Sequence, residues 1–96
     1  MNKIEVISRE ELLLKLKEQN PAFCLVDVRE RHEFADFNWG GLNVPAHELG
    51  KYLDRLIGCE EIVVACSNGM RSSIMARVIQ KKNPSARVLH LEEGIW

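Results

Sequence analysis

The stretch Cys66-Ser67-Asn68-Gly69-Met70-Arg71-Ser72 is where the residue types and their spacing could do chemistry. A thiol stands at the end of a short apolar run, Ile62-Val63-Val64-Ala65, and a cation, Arg71, follows after a polar segment that contains Gly69. If a strand ends at the cysteine and a helix begins near Ser72, the chain between them must turn sharply. Such a turn aims several backbone N–H groups at one point, with the positive end of the helix dipole behind them. Glycine at position 69 removes the side chain that would obstruct it. The product is an anion cradle around a sulfur atom. An unperturbed thiol has a pKa of about 8.5, and a helix N-terminus with a guanidinium nearby lowers it enough to populate the nucleophilic thiolate near neutrality. Cys66 is therefore the expected nucleophile, and Ser67, Asn68, Gly69, Met70, Arg71 and Ser72 form the expected anion-binding loop. A strand-end cysteine can also be a small inert hydrophobe. The polar, cationic stretch beside this one is poor packing material and favours the reactive reading.

The other two cysteines lack such surroundings. Cys24 lies in the apolar run Phe23-Cys24-Leu25-Val26-Asp27-Val28 and reads as inert core, and Cys59, after Gly58, reads as a passive surface or half-buried thiol. Three cysteines with no Cys-x-x-Cys spacing argue against a disulfide framework and against a zinc site, so at least one thiol is expected to be free. His32, His47 and His90 are isolated from one another. His90, between Leu89 and Leu91, reads as a hydrogen-bonded or solvent-facing strand residue, while His32 and His47 open helical stretches at the surface. The carboxylate pairs Glu10-Glu11, Glu60-Glu61 and Glu92-Glu93 read as solvated ends of elements. Nothing has metal-ligand spacing, and no cofactor or metal is expected.

The elements that must position the thiol are legible from periodicity. Ile4 to Ile7 reads as a strand, and Ser8 with Glu11 has the form of a capping box opening a Leu-rich helix that Asn20-Pro21 stops. Phe23 to Val28 and Ile62 to Ala65 are apolar runs of strand length, as in strands covered on both faces. Between them, Leu49, Tyr52, Leu53, Leu56 and Ile57 fall on one face of a helix predicted over 47–57 and closed by Gly58. Ile74, Met75, Val78 and Ile79 mark another helix, stopped by Asn83-Pro84, and Arg87 to Leu91 is a last strand. Strands alternating with helices imply parallel pairing with right-handed crossovers, so the expected fold is a small α/β parallel sheet with helices on both faces. In such sheets ligands sit beyond the carboxyl ends of the strands, where Asp27 to Glu30, Cys66 to Ser72 and Glu92 to Trp96 all fall.

The chain has 96 residues, 28% of them charged, and a net charge of −1. That length supports one core and is too short for two, so a single domain over 1–96 is expected. The balanced charge excludes the broad positive field of a protein that binds nucleic acid or anionic membrane nonspecifically. No apolar run is long enough to cross a bilayer, and Met1-Asn2-Lys3-Ile4-Glu5 lacks a signal peptide's apolar stretch, so a cytoplasmic protein is expected.

In order and separation, Asp27-Val28-Arg29-Glu30, Glu33-Phe34, Asn43-Val44-Pro45, Cys66-x-x-Gly69-x-Arg71-Ser72 and Glu93-Gly94-Ile95-Trp96 resemble the single-domain rhodaneses, the thiosulfate sulfurtransferase family, over nearly the whole chain. The resemblance implies the rhodanese-like fold and a mechanism. Cys66 would take the outer sulfur of thiosulfate or a persulfide donor, become a persulfide, and pass that sulfur to cyanide or a thiol. Backbone N–H groups of the loop and the Arg71 guanidinium would hold the negative charge. Phosphatase and arsenate-reductase relatives carry one more residue between cysteine and arginine, so the shorter spacing here disfavours phosphate chemistry. Asp27 and Arg29 match residues that support the active-site side of the sheet; Arg29 could equally form a surface ion pair with Glu33, worth about 0–1 kcal/mol.

The sequence departs from the family in two places. Asp36-Phe37-Asn38-Trp39-Gly40-Gly41 stands where many members carry Gly-His-Ile, and Phe37 and Trp39 are expected to cover the sheet edge there. Members usually continue past Gly-Ile-Trp with a further helix, whereas this sequence stops at Trp96, so an uncovered face available to a second copy or a partner protein is expected. Met70, in a loop position where relatives often have a small or polar residue, favours a protein or thiol acceptor over cyanide. The leading expectation is a sulfurtransferase. The alternative is a sulfur-carrier or interaction module with little free turnover.

Overall fold

Successive side chains of the central strands face opposite sides of the sheet, and that alternation divides the core into two layers. The computed structural model describes residues 4–96. Its sheet is built from β1 (Glu5–Ile7), β2 (Phe23–Asp27), β3 (Leu42–Asn43), β4 (Glu61–Ala65) and β5 (Arg87–Leu91), all parallel, in the order β1-β5-β4-β2-β3. Helices α1 (Arg9–Glu18), α2 (Arg31–Asp36), α3 (Leu49–Tyr52) and α4 (Met70–Lys82) connect the strands. Val26, Ile62, Val64 and Val88 point to one face and pack with Leu49, Leu56, Ala76 and Ile79. Leu25, Val63, Leu89 and Leu91 point to the other and pack with Leu12 of α1, Ile95 and Trp39. Strands β2, β4 and β5 thus lose both faces to the core, which is why their sequences read as continuous apolar runs. The expected α/β architecture is the one observed.

Local signals set most of the element ends. Ser8 and Glu11 form the reciprocal capping box, with Ser8 N–H donating to Glu11 Oε1 and Glu11 N–H donating to Ser8 Oγ, each at 3.1 Å. The predicted helix over 47–57 is instead a 3-10 turn at Ala46–Glu48, the short α3, and a second 3-10 turn at Leu53–Leu56. Its apolar stripe still anchors it through buried Leu49 and Leu56, but Gly50 adds no packing and weakens the helix. The pairing of Leu42 and Asn43 with Val26 and Asp27 makes β3, too short to show any sequence period.

Cys24 and Cys59 are joined by a disulfide. This overturns the reading of Cys24 as inert core and Cys59 as a passive thiol. Spacing along the chain was the wrong criterion: β2 and β4 are neighbours, Cys24 lies opposite Ile62, and Cys59 just precedes β4, so their Cα atoms are 6.1 Å apart. Among the described cysteines Cys66 is the free thiol. The pairing also removes unpaired thiols at 24 and 59 as an argument for a reducing compartment. Among the described residues no helix is long and apolar enough to cross a membrane.

Candidate active site

Three segments meet at the carboxyl edge of the sheet. Cys66 directly follows β4, and its side chain has no solvent-exposed surface. The chain then turns through Ser67 and Asn68 to Gly69, which caps α4 with φ at +88°. Helix α4 begins at Met70, so the expected loop is shorter than the sequence suggested, and Met70, Arg71 and Ser72 form the first helical turn. No side chain fits at Gly69: a Cβ there would collide with the Glu92 carbonyl. Gly94, with φ at +84°, faces the loop the same way, since a Cβ on it would run into the Ser67 carbonyl. Ile95 N–H donates to the Cys66 carbonyl at 2.8 Å, and Arg9 Nε donates to the Gly94 carbonyl at 2.7 Å. The turn after β5 therefore braces the cysteine loop by backbone contact.

The loop converges on sulfur. Gly69 N–H and Ser72 N–H donate to Cys66 Sγ at 3.1 and 3.2 Å. Burial alone would push the thiol pKa up. Against it stand the Ser72 hydroxyl and the N–H groups of Ser72, Asn68 and Gly69, which favour the anion and bring the pKa below its ordinary value. Met70 N–H is taken by Asn68 Oδ1 at 3.1 Å, so it is not among the donors to sulfur. Of the expected loop, then, the structure gathers Asn68, Gly69 and Ser72 around Cys66.

Arg71 and Ser67 face a different partner. Arg71 Nη1 and Nη2 donate to the two carboxylate oxygens of Glu33 in α2 at 2.9 and 3.1 Å. Ser67 Oγ joins them, accepting from Arg71 Nη2 at 3.1 Å and donating to Glu33 Oε2 at 3.2 Å. The Arg71 guanidinium beside Glu33 holds that carboxyl at about 2. Sequence reasoning gave Glu33 no role at the loop, although it sits in the Glu33-Phe34 motif.

Arg29 is fully buried, and the surface pair with Glu33 does not form. Its Nε donates to Asp27 Oδ1 at 3.0 Å and its Nη2 to Asp27 Oδ2 at 2.8 Å, with a further donation from Nη2 to the Phe37 carbonyl. The Trp96 ring covers the guanidinium at 5.8 Å, and Phe37 packs on Trp96 with ring centroids 5.1 Å apart. Trp39 is half-buried against the α1 side of the core. Asn43 Nδ2 donates to the carbonyls of Asp27 and Arg29 at 3.1 and 2.9 Å, tying β3 to this corner. Asp27 and Arg29 thus organise the corner next to the cysteine loop, not the loop itself. Met70 is exposed, as is Ile74 one turn on.

The profile of the rhodanese-like domain family matches residues 8–95. No curated protein matches the sequence. Among solved structures, the chain is similar to reduced CoADR-RHD from Bacillus anthracis, with a TM-score of 0.80 and 25% identity over 95% of this chain but only 16% of that one. It is similar to a NAD-dependent persulfide reductase from A. fulgidus, with a TM-score of 0.70 and 29% identity over 96% of this chain and 15% of that one. The human single-domain sulfurtransferase TSTD1 shares the fold with a TM-score of 0.75 and 21% identity, over 93% of this chain and 89% of that one. The chain therefore spans a small part of the first two proteins and nearly all of the third.

Proposed function

The chain belongs to the rhodanese-like domain family, and from that premise we propose that it is a sulfurtransferase whose nucleophile is Cys66. The observation that carries the reading is the pair of N–H donors on Cys66 Sγ, from Gly69 and Ser72, at the head of α4. They stabilise a thiolate in a site where burial alone would protonate it. The thiolate attacks the outer sulfur of thiosulfate or of a persulfide. The donor's S–S bond breaks, sulfite or a thiolate leaves with the electron pair, and Cys66 carries a persulfide anion. Attack of cyanide or a thiolate on that outer sulfur returns the Cys66 thiolate and releases thiocyanate or a new persulfide. No oxidant is consumed in either half.

Asp27 and Arg29 support the corner beside the loop in this reading, and Ser67 and Arg71 form its rim. The rim favours a persulfide over thiosulfate as donor. Two of the Arg71 N–H groups are engaged by the Glu33 carboxylate, which also neutralises the guanidinium's charge, another by Ser67, and Met70 next to them presents an exposed thioether. The same features favour the sulfur-carrier version of the activity, in which a partner delivers and removes the sulfur.

Intact-protein mass spectrometry after incubation with thiosulfate or a low-molecular-weight persulfide tests the proposal. One added sulfur, mapped to Cys66 and removed by cyanide or a thiol, is the expected result. No sulfur from either donor, or sulfur on Cys24 or Cys59, refutes it.

A further inference from the structure

Helix α4 turns an apolar face to solvent. Ser72, Ala76 and Ile79 are its buried residues, and on the 3.6-residue period Met70, Ile74 and Val78 lie on the opposite side. They are 70%, 60% and 37% exposed. A helix whose one task was to cover the sheet would carry polar side chains there. The stripe begins at the rim of the Cys66 site, where Met70 opens the helix, and runs about 12 Å to Val78. The same outer side carries charge of one sign. Arg77, Lys81 and Lys82 are exposed, and α4 contains no Asp or Glu. Among the described residues these three cations form no ion pair, whereas Arg71 at the other end of the helix is matched by Glu33. Lysines in a last turn suit the helix dipole, but Arg77 stands in mid-helix, where the dipole gives it nothing. Outward from the thiol, then, come an apolar stretch and a cationic one about 10–18 Å from the start of the helix.

We propose that this face of α4 docks the protein that exchanges sulfur with Cys66, and that the partner presents an acidic amphipathic helix with its persulfide-bearing cysteine at one end. The inference rests on the sulfurtransferase reading and names the class of donor for that site. Apolar side chains of the partner helix cover Met70, Ile74 and Val78, and its carboxylates, further from its cysteine, meet Arg77, Lys81 and Lys82. Docking then holds the donor sulfur at the mouth of the loop and makes the attack effectively intramolecular. The Cys66 thiolate attacks the outer sulfur of the partner's persulfide, the S–S bond breaks, and the partner's thiolate leaves with the electron pair.

Charge and cargo decide between this occupant and two others. A second copy of the chain is poorly matched: pairing two α4 helices in parallel brings their cationic ends together, and pairing them antiparallel sets the cations of one on the apolar half of the other. An anionic membrane would attract the cations but brings no persulfide to a thiol at the head of the stripe.

The probes are two synthetic amphipathic helices with an apolar stripe and a terminal cysteine, identical except that one carries Glu and the other Lys at the end away from the cysteine. Binding is read first, by fluorescence anisotropy with labelled peptides whose cysteine is replaced by serine. The Glu peptide should bind at least about tenfold more tightly than the Lys peptide, and less so at high salt. Ile74→Asn should weaken the Glu peptide about tenfold, and Arg77→Glu with Lys81→Glu should reverse the preference in favour of the Lys peptide. These positions are exposed, so the variants should melt with the wild type. Loading of Cys66 is read second, by intact mass. The persulfidated Glu peptide should load it about tenfold faster than free cysteine persulfide at equal concentration, and both variants should lose that advantage while loading from cysteine persulfide stays unchanged. Equal affinity for the two peptides, or affinity indifferent to both variants, overturns the inference. A dimer in light scattering that Ile74→Asn dissolves overturns it in favour of a second copy, and retention on phosphatidylserine vesicles that the Glu peptide does not compete overturns it in favour of a membrane. Charge-selective binding without loading from either persulfide sinks the sulfurtransferase and leaves the docking face, and loading from cysteine persulfide without a peptide preference does the reverse.

Discussion

Replacing Glu33 by Gln probes how the rim selects its donor. In the native site Arg71 gives two charge-assisted hydrogen bonds to the Glu33 carboxylate, whose side chain is 25% exposed against 38% for Arg71. Gln keeps one acceptor and removes the charge, so the guanidinium becomes available to an anion at the loop. A charge-assisted hydrogen bond is worth about 1.5–3 kcal/mol when shielded, and solvent at this half-open rim reduces that to about 1 kcal/mol. One kcal/mol corresponds to about a fivefold change in affinity. The thiosulfate concentration that half-loads Cys66, read by intact mass, should therefore fall about fivefold in Glu33→Gln, and the gain should shrink at high salt. Loading from a neutral or singly charged persulfide should change less than twofold, since it has no second charge for Arg71 to hold. Weaker loading from both donors would refute the reasoning, because it would mean that Glu33 keeps the loop in shape and does not compete for Arg71.

The same ion pair predicts an acid dependence. Glu33 is held at about 2 against 4.5 without its partners, so its contribution to stability is complete above pH 4.5 and is lost as the pH falls toward 2. Urea midpoints of Glu33→Gln and wild type should therefore converge over that range. Gly94→Ala places a Cβ against the Ser67 carbonyl at a φ of +84°, and should cost more than about 2 kcal/mol of stability and most of the sulfur loading, read by melting and by mass. A loop of the 35-residue separation between Cys24 and Cys59 gives about 4 kcal/mol in the chain-entropy account. Replacing Cys24 and Cys59 together by Ser should lower the unfolding free energy by about 2–4 kcal/mol while leaving Cys66 able to load well below the new melting point. Cys66→Ser should abolish loading with little change in melting, and persistent loading would move the nucleophile elsewhere.

What could be read from the sequence was whatever repeats along the chain or caps an element. The apolar runs of β2, β4 and β5, the capping box at Ser8 and the stops at Asn20-Pro21 and Asn83-Pro84 are local, and the parallel sheet follows from their alternation. The partners of the polar side chains were not local. Glu33 reaches Arg71 across a separation of 38 residues, and Cys24 reaches Cys59 only because β2 and β4 are neighbours. Arg29 was hard to place for a different reason: arginine is rarely fully buried, and its burial here depends on a carboxylate two positions earlier and on the Trp96 ring. The importance of Ser72 also depends on where α4 starts, and a helix boundary shifted by two residues turns a loop hydroxyl into a first-turn one.

The positions of the three cysteines bear on how a persulfide would leave. Cys59 precedes β4 and Cys66 follows it, so the disulfide and the free thiol stand at opposite ends of the same strand. Seven residues of extended chain separate them by about 20 Å, far beyond the contact that thiol–disulfide exchange requires. A Cys66 thiolate therefore cannot attack the Cys24–Cys59 bridge in the folded chain, and a Cys66 persulfide has no resolving thiol within the described residues. Sulfur placed on Cys66 must go to an external acceptor or stay. Oxidation of the pair at the far end of β4 changes the stability of the fold without competing for that sulfur, so this chain can carry a structural disulfide and a transferable sulfur at once.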